Sequence, residues 1–151
     1  MDADHQFLAS LSWTGNRGTG TSGARDFGRD HVVSVAGKPD IRGSAARAFH
    51  GDLDRWNPEE MLIAALAQCH LLSYLYVATR AGVVVTGYTD EASGVLAVAP
   101  DGSGRIREVV LRPRVEFAAP PPDPVALHAE AHRLCFIANS VNFPVRVEPS
   151  G

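Results

Sequence analysis

Two sulfur atoms offer the most specific chemistry in this 151-residue chain. Cys69 and Cys135 are its only cysteines. A thiolate can attack a peroxide oxygen and become a sulfenic acid, and a second thiol can condense with it to give a disulfide. That cycle needs one activated and one resolving sulfur. The competing reading makes both cysteines small apolar residues of a core.

Apolar surroundings raise a thiol's pKa, so the first cysteine needs a nearby cation to react as a thiolate. Arg25 and Arg29, in GARDFGRDH, and Arg47 are the candidates that precede it. A carboxylate that orients the guanidinium through a bidentate pair would complete the arrangement. Glu59 and Glu60 are candidates for that role, against the simpler reading of helix-start charge.

These residues need elements to hold them. Asn57-Pro58-Glu59-Glu60 is a helix start: Asn57 can cap, Pro58 suits the first helical position, and Glu60 lies three residues after the cap. The helix is expected to run to about Arg80, with Gly82 as its stop. Its apolar residues occupy nearly every face, which places it inside a protein or between subunits. Met61 to Thr79 carries no formal charge and approaches the length of a membrane span. Gln68, His70 and Ser73 sit mid-segment, and polar groups in lipid are costly, so a buried central helix is the expectation.

Before this helix, residues 7–13 and 31–36 read as strands separated by a glycine-rich turn, and residues 41–50 as a weaker strand. After it, residues 83–100 and 106–117 flank Asp101-Gly102 as a hairpin. Asp123 caps a second helix with Pro124 at its first position. Leu127, Ala131, Leu134, Ala138 and Val141 form one stripe along it, with Cys135 near its middle. A short strand, PVRVE, closes the chain. The order is strands, helix, hairpin, helix, strand, which is α+β in a single domain spanning residues 1–151.

Glu59 and Cys69 are ten residues apart, so their backbones lie roughly 15 Å apart along a straight helix. One chain cannot bring them together. Two copies packed antiparallel about a two-fold axis would set Glu59 of one against Cys69 of the other. An isologous homodimer with composite sites is therefore expected.

Composition removes other classes. The formal net charge is −3, with no basic excess to neutralise phosphates, so no nucleic-acid partner is expected. Two cysteines exclude a disulfide-dense scaffold and a paired Cys-x-x-Cys zinc ribbon. Residues 1–6, MDADHQ, lack the basic and apolar parts of a secretory signal, so a cytoplasmic protein with no membrane partner is expected.

NPEEMLIAALAQC, with a cysteine ten residues after the first glutamate, resembles the helix of the OsmC/Ohr family of osmotically inducible and organic hydroperoxide resistance proteins. AHRLCFIANSV resembles that family's second-cysteine helix, and SWTGNRGTGT its opening hairpin. The resemblance covers about residues 10–148. It implies an intertwined α+β homodimer, with antiparallel sheets packed on two central helices per chain and two sites at the subunit interface. It implies a thiol peroxidase for organic hydroperoxides, with no metal or flavin cofactor. On this reading Cys69 is the peroxidatic cysteine, Cys135 the resolving one, and Glu59 the carboxylate that holds an arginine. Arg29, leading into the second strand, is favoured over Arg47 and Arg25. The reductant would be a dithiol, a lipoylated protein in the family's best-known branch. His70 after Cys69 and Phe136 after Cys135 depart from the better-known members, which carry an aromatic residue and usually proline there. These departures mark an OsmC-like subgroup.

The histidines open a non-enzymatic alternative. His128, His132 and Cys135 are spaced four and three apart, near one helical face, and His70 or Cys69 would complete four ligands for tetrahedral zinc. The alternative is an OsmC-like dimer that binds zinc or a small apolar ligand in the same pocket. Leu72, Tyr74, Tyr76, Phe136 and Phe143 lie near the cysteines in sequence. They suit either an apolar, water-excluding lining or ordinary core packing.

Overall fold

The computed structural model describes residues 3–150 and divides into two compact units, Met1–Glu60 and Met61–Gly151. In the first, β1 (Ser10–Trp13), β2 (His31–Ser34) and β3 (Ile41–Gly43) form an antiparallel sheet in that order. Trp13 pairs with His31, and its indole N–H donates to the Gly28 carbonyl at 2.9 Å, pinning the long β1–β2 connection. The expected third strand is shortened to three residues, followed by a 3-10 turn at Arg47–Phe49.

The central helix, α1, runs Pro58–Arg80. It starts as the capping pattern dictates. The Glu60 amide donates to Asn57 Oδ1 at 2.8 Å, and the Asn57 amide donates back to Glu60 Oε1 at 3.4 Å. Gly82, at φ +69°, ends it, with the Val83 amide returning to the Ala78 carbonyl at 2.9 Å. Length and composition alone would let α1 cross a membrane. Within the second unit, however, Leu66, His70, Tyr74, Val77 and Ala78 form its buried stripe.

The second unit carries two sheets. β4 (Val85–Asp90) pairs with β7 (Pro113–Phe117), and β5 (Ser93–Val98), β6 (Gly104–Leu111) and β8 (Val145–Val147) form the other in the order β5-β6-β8. Each of the two long β runs is therefore broken in two. The break rests on one long-range contact and one proline: Asp90 Oδ1 accepts the Arg112 amide at 2.7 Å, and Pro113 has no N–H to continue a ladder. The Asp101-Gly102 hairpin joins β5 to β6 as expected, whereas β8 pairs with β6 in parallel.

Helix α2 (Pro124–Leu134) is capped by Asp123, whose Oδ1 accepts the Ala126 amide at 3.0 Å. It ends earlier than its apolar stripe suggests. Cys135 is the C-cap, at φ −68° and ψ 112°, not a mid-helix residue. Asn139 Nδ2 donates to the Arg133 carbonyl at 3.0 Å, satisfying a helix-end acceptor, and Ala138–Ser140 form only a 3-10 turn.

Two apolar clusters hold the second unit. Tyr74, Val77 and Ala78 of α1 meet Leu127 and Ala131 of α2 over β4 and β7. Leu66 of α1 meets Val109 and Leu111 of β6. Leu66 is fully buried at the centre of this second cluster. Leu66→Ala is expected to cost about 2–5 kcal/mol, read as a lowered urea midpoint at unchanged m.

Candidate functional site

Cys69 lies on α1 and Cys135 at the end of α2, and both are free thiols. The early end of α2 is what brings them together. The turn after Cys135 points successive amides at the two sulfurs: Ile137 N–H donates to Cys69 Sγ and Ala138 N–H to Cys135 Sγ, each at 3.5 Å. The two sulfurs thus flank one turn of backbone, near enough for Cys69 to act on the Cys135 thiol. Cys135 is buried and Cys69 half-buried. Burial and the neighbouring Cys69 sulfur push the Cys135 thiol up to about 11, against the pull of the Ala138 and Ile137 amides. Cys135 therefore rests as a neutral thiol at neutral pH.

Cys69 opens onto a crevice of about 440 Å³ lined by Leu72, Ser73, Tyr76, Leu134 and Phe136. Four of these five side chains are apolar or aromatic, so an alkyl or aryl group fits better than water. The helix spacing i, i+3, i+4 and i+7 from Cys69 generates the α1 wall. Ser73 and Leu134 were not among the expected lining residues, although the first follows directly from this spacing. Tyr74 and Phe143 belong to the two cores instead. Phe136, the residue that departs from the family pattern, is 80% exposed and forms the outer wall.

The first unit holds the remaining candidates. Glu59 is half-buried, and its Oε2 is buried without a hydrogen-bond partner among the described residues. Glu60 is committed to the capping box. Arg29 Nη1 donates to the carbonyls of Ala24 at 2.7 Å and Phe27 at 2.9 Å, and the guanidinium lies 4.0 Å above the Phe27 ring. Arg25 and Arg47 are exposed.

The histidines do not assemble a metal site. Among the described residues no group of three or more His, Cys, Asp or Glu side chains converges as an ion would require. His70 Nε2 is instead 3.1 Å from His128 Nδ1, so one ring donates and the other accepts. The Tyr74 ring is 4.4 Å from that of His128. Burial, then the charges His128 and His132 would carry, push His70 down to about 4, and burial lowers His128 in the same direction. Both are neutral at pH 7. In the unfolded chain a histidine takes its proton near 6.5, whereas folded His70 does so only near 4. Stability is therefore full above the unfolded value and falls as pH drops through that window, levelling below it. The His70 contribution to that fall is about 3 kcal/mol. Urea midpoints measured from pH 7.5 to 4 in the native protein and in His70→Phe isolate it as the difference between the two slopes.

The family model described as OsmC-like protein matches residues 50–150. The uncharacterized protein YmaD of Bacillus subtilis (strain 168) is 30% identical over 142 residues, covering 91% of this chain and 83% of that protein. An OsmC-like protein of unknown function from Vibrio cholerae O1 biovar eltor superposes with a TM-score of 0.86 at 30% identity, over 97% of this chain and 100% of that one. The organic hydroperoxide resistance protein OhrB of Bacillus subtilis shares the fold at a TM-score of 0.68 and 21% identity, over 95% of this chain and 98% of that one.

Proposed function

The chain belongs to the OsmC-like protein family, and we propose that it is a cysteine-based peroxidase that reduces organic hydroperoxides to alcohols. The observation that carries this reading is the pair of free thiols met by successive amides of one turn, with Cys69 opening onto an apolar crevice. The name of the fold relative OhrB, an organic hydroperoxide resistance protein, agrees with it.

The Cys69 thiolate attacks the outer peroxide oxygen. The O–O bond breaks, its electron pair leaves on the alkoxide, and the alkoxide takes a proton from solvent to become the alcohol. Cys69 is now a sulfenic acid. The Cys135 sulfur attacks the Cys69 sulfur, the S–O bond breaks, and the departing hydroxide takes the Cys135 proton as water. A dithiol reductant, of which a lipoylated protein is one, then restores both thiols by two exchange steps and becomes a disulfide itself. The amides of Ile137 and Ala138 stabilise negative charge on either sulfur as it develops.

A guanidinium completes the cycle by holding Cys69 as the thiolate. We assign Glu59 to orient it through the carboxylate oxygen that lacks a partner, and Arg29 as the cation ahead of Arg47 and Arg25. The helix spacing of Glu59 and Cys69 then calls for a homodimer, with Glu59 of the partner subunit completing each site. The α1 side chains exposed in one chain, Leu72, Leu75 and Tyr76, supply apolar surface for it. Both units would belong to one OsmC-like domain. A reducing cytoplasm would keep the pair as thiols between turnovers.

The test is peroxide consumption by the purified protein with a dithiol reductant. Cumene hydroperoxide should be consumed with a kcat/KM at least about tenfold above that for hydrogen peroxide, because the cumyl group fills the crevice. Equal rates, or no consumption of either, would contradict the reading.

A further inference from the structure

A cavity of about 130 Å³ lies within the second unit and shares no residue with the crevice at Cys69. Pro113, Val115 and Phe117 of β7 form one wall, Pro124 and Val125 of α2 a second, and Pro149 a third. Strand alternation generates the first wall, since residues 113, 115 and 117 share one face. The Ser150 amide donates to the Pro113 carbonyl at 3.0 Å, which holds the segment after β8 in place as the third. The α1 side chains offered to a partner subunit, Leu72, Leu75 and Tyr76, take no part in it.

Two buried polar side chains reach this apolar lining, Tyr74 and His128. The Tyr74 hydroxyl is buried with no partner among the described residues. Burial pushes the phenol up, so it stays an O–H donor. Protein interiors rarely leave such a donor unpaired, so the atom marks a place for an acceptor. His128 supplies a second donor. Its Nδ1 meets His70 Nε2 at 3.1 Å, and His70 Nδ1 is buried without a partner. A proton on His70 Nδ1 would be an orphaned N–H in the core, the costlier arrangement. The proton therefore sits on His70 Nε2, His128 Nδ1 accepts it, and neutral His128 carries its own proton on Nε2. That N–H makes no hydrogen bond among the described residues. The Tyr74 and His128 ring centroids are 4.4 Å apart, so both donors border the same space.

No lysine or arginine lines the cavity, so a carboxylate would bury its charge unpaired. Two neutral donors in an apolar lining call for an acceptor without charge. We propose that this cavity is a binding site for a small neutral carbonyl compound, a ketone or aldehyde with a compact apolar body, whose oxygen takes the Tyr74 O–H and the His128 Nε2–H. A cavity of about 150 Å³ accommodates benzene, so the ligand has about six or seven non-hydrogen atoms. The site is separate from the thiol chemistry and does not depend on it.

The test titrates cyclohexanone, methylenecyclohexane and cyclohexanecarboxylate into the native protein and into Tyr74→Phe, followed by NMR. Cyclohexanone should shift the Tyr74 and His128 ring signals and the Val115 and Val125 methyls, with a Kd of about 1 mM. Methylenecyclohexane has the ketone's shape without its oxygen. At equal concentration its shifts should be at least about tenfold smaller, because two hydrogen bonds are lost. Tyr74→Phe should weaken ketone binding about fivefold and leave the urea midpoint no lower, because the hydroxyl bonds nothing in the folded protein. A lowered midpoint with unchanged ketone binding assigns the hydroxyl to the fold and overturns the site. Three further results also overturn it: no shift at these residues up to about 10 mM cyclohexanone, shifts confined to Leu72 and Phe136 at the Cys69 crevice, or tighter binding of the carboxylate than of the ketone.

Discussion

Cys69→Ser is expected to abolish hydroperoxide consumption, with a fall of at least about 10³-fold in kcat/KM. The size of the effect follows from the chemistry. A serine hydroxyl at neutral pH is un-ionised and a far poorer nucleophile toward a peroxide oxygen than a thiolate. The substitution is also gentle to the structure. Serine keeps an acceptor for the Ile137 amide that Cys69 Sγ now takes, and Cys69 is half-buried and belongs to neither apolar cluster. The unfolding midpoint should therefore stay close to native, which separates a lost nucleophile from a lost fold. Peroxide disappearance and urea unfolding on the same preparation check both halves. Full activity in Cys69→Ser would dispose of the mechanism.

Cys135→Ser is expected to reduce turnover to a single event. One equivalent of hydroperoxide per chain should be consumed, and the reaction should then stop at a Cys69 sulfenic acid, detectable by dimedone labelling and mass spectrometry. The native protein should carry no label under the same conditions, because Cys135 condenses with the sulfenic acid first. The resolving thiol rests protonated, with burial pushing it to about 11, so it does not compete for the peroxide. On the proposed cycle, its place beside the Cys69 sulfur suits it to the second step. A variant that turns over repeatedly with the dithiol would assign resolution to the reductant itself.

The parts of this fold that were legible in the sequence are those fixed by local chemistry. Asn57, Pro58 and Glu60 satisfy the helix-start donors among themselves, so the helix start follows from four residues. The Asp101-Gly102 turn is equally local: Gly102 takes φ +86° and Asp101 Oδ1 accepts the Ser103 amide at 2.9 Å. Features decided by distant groups were not legible. The apolar stripe through Ala138 and Val141 suggests a longer α2, yet those residues pack on the second cluster from outside the helix. The division of each β run depends on Asp90 reaching Arg112 across 22 residues of chain.

The candidate site shows the same division. Residue type alone singled out the two cysteines, and spacing alone kept Glu59 away from the Cys69 of its own chain. The amides of Ile137 and Ala138 could not be foreseen, because they reach the sulfurs only once α2 stops at Cys135. The histidines gave the opposite result. Their helical spacing resembled a ligand set, but His70 and His128 bond to each other in the interior.

The central claim is that Cys69 and Cys135 act as one redox pair, and counting thiols tests it most directly. Titration of the reduced native protein with one equivalent of cumene hydroperoxide per chain should remove both thiols together. Peptide mapping should then find a Cys69–Cys135 disulfide, which a dithiol restores to two thiols. Two thiols still titrating after that equivalent, or oxidation that stops at one sulfur with no bond between the pair, would contradict the account.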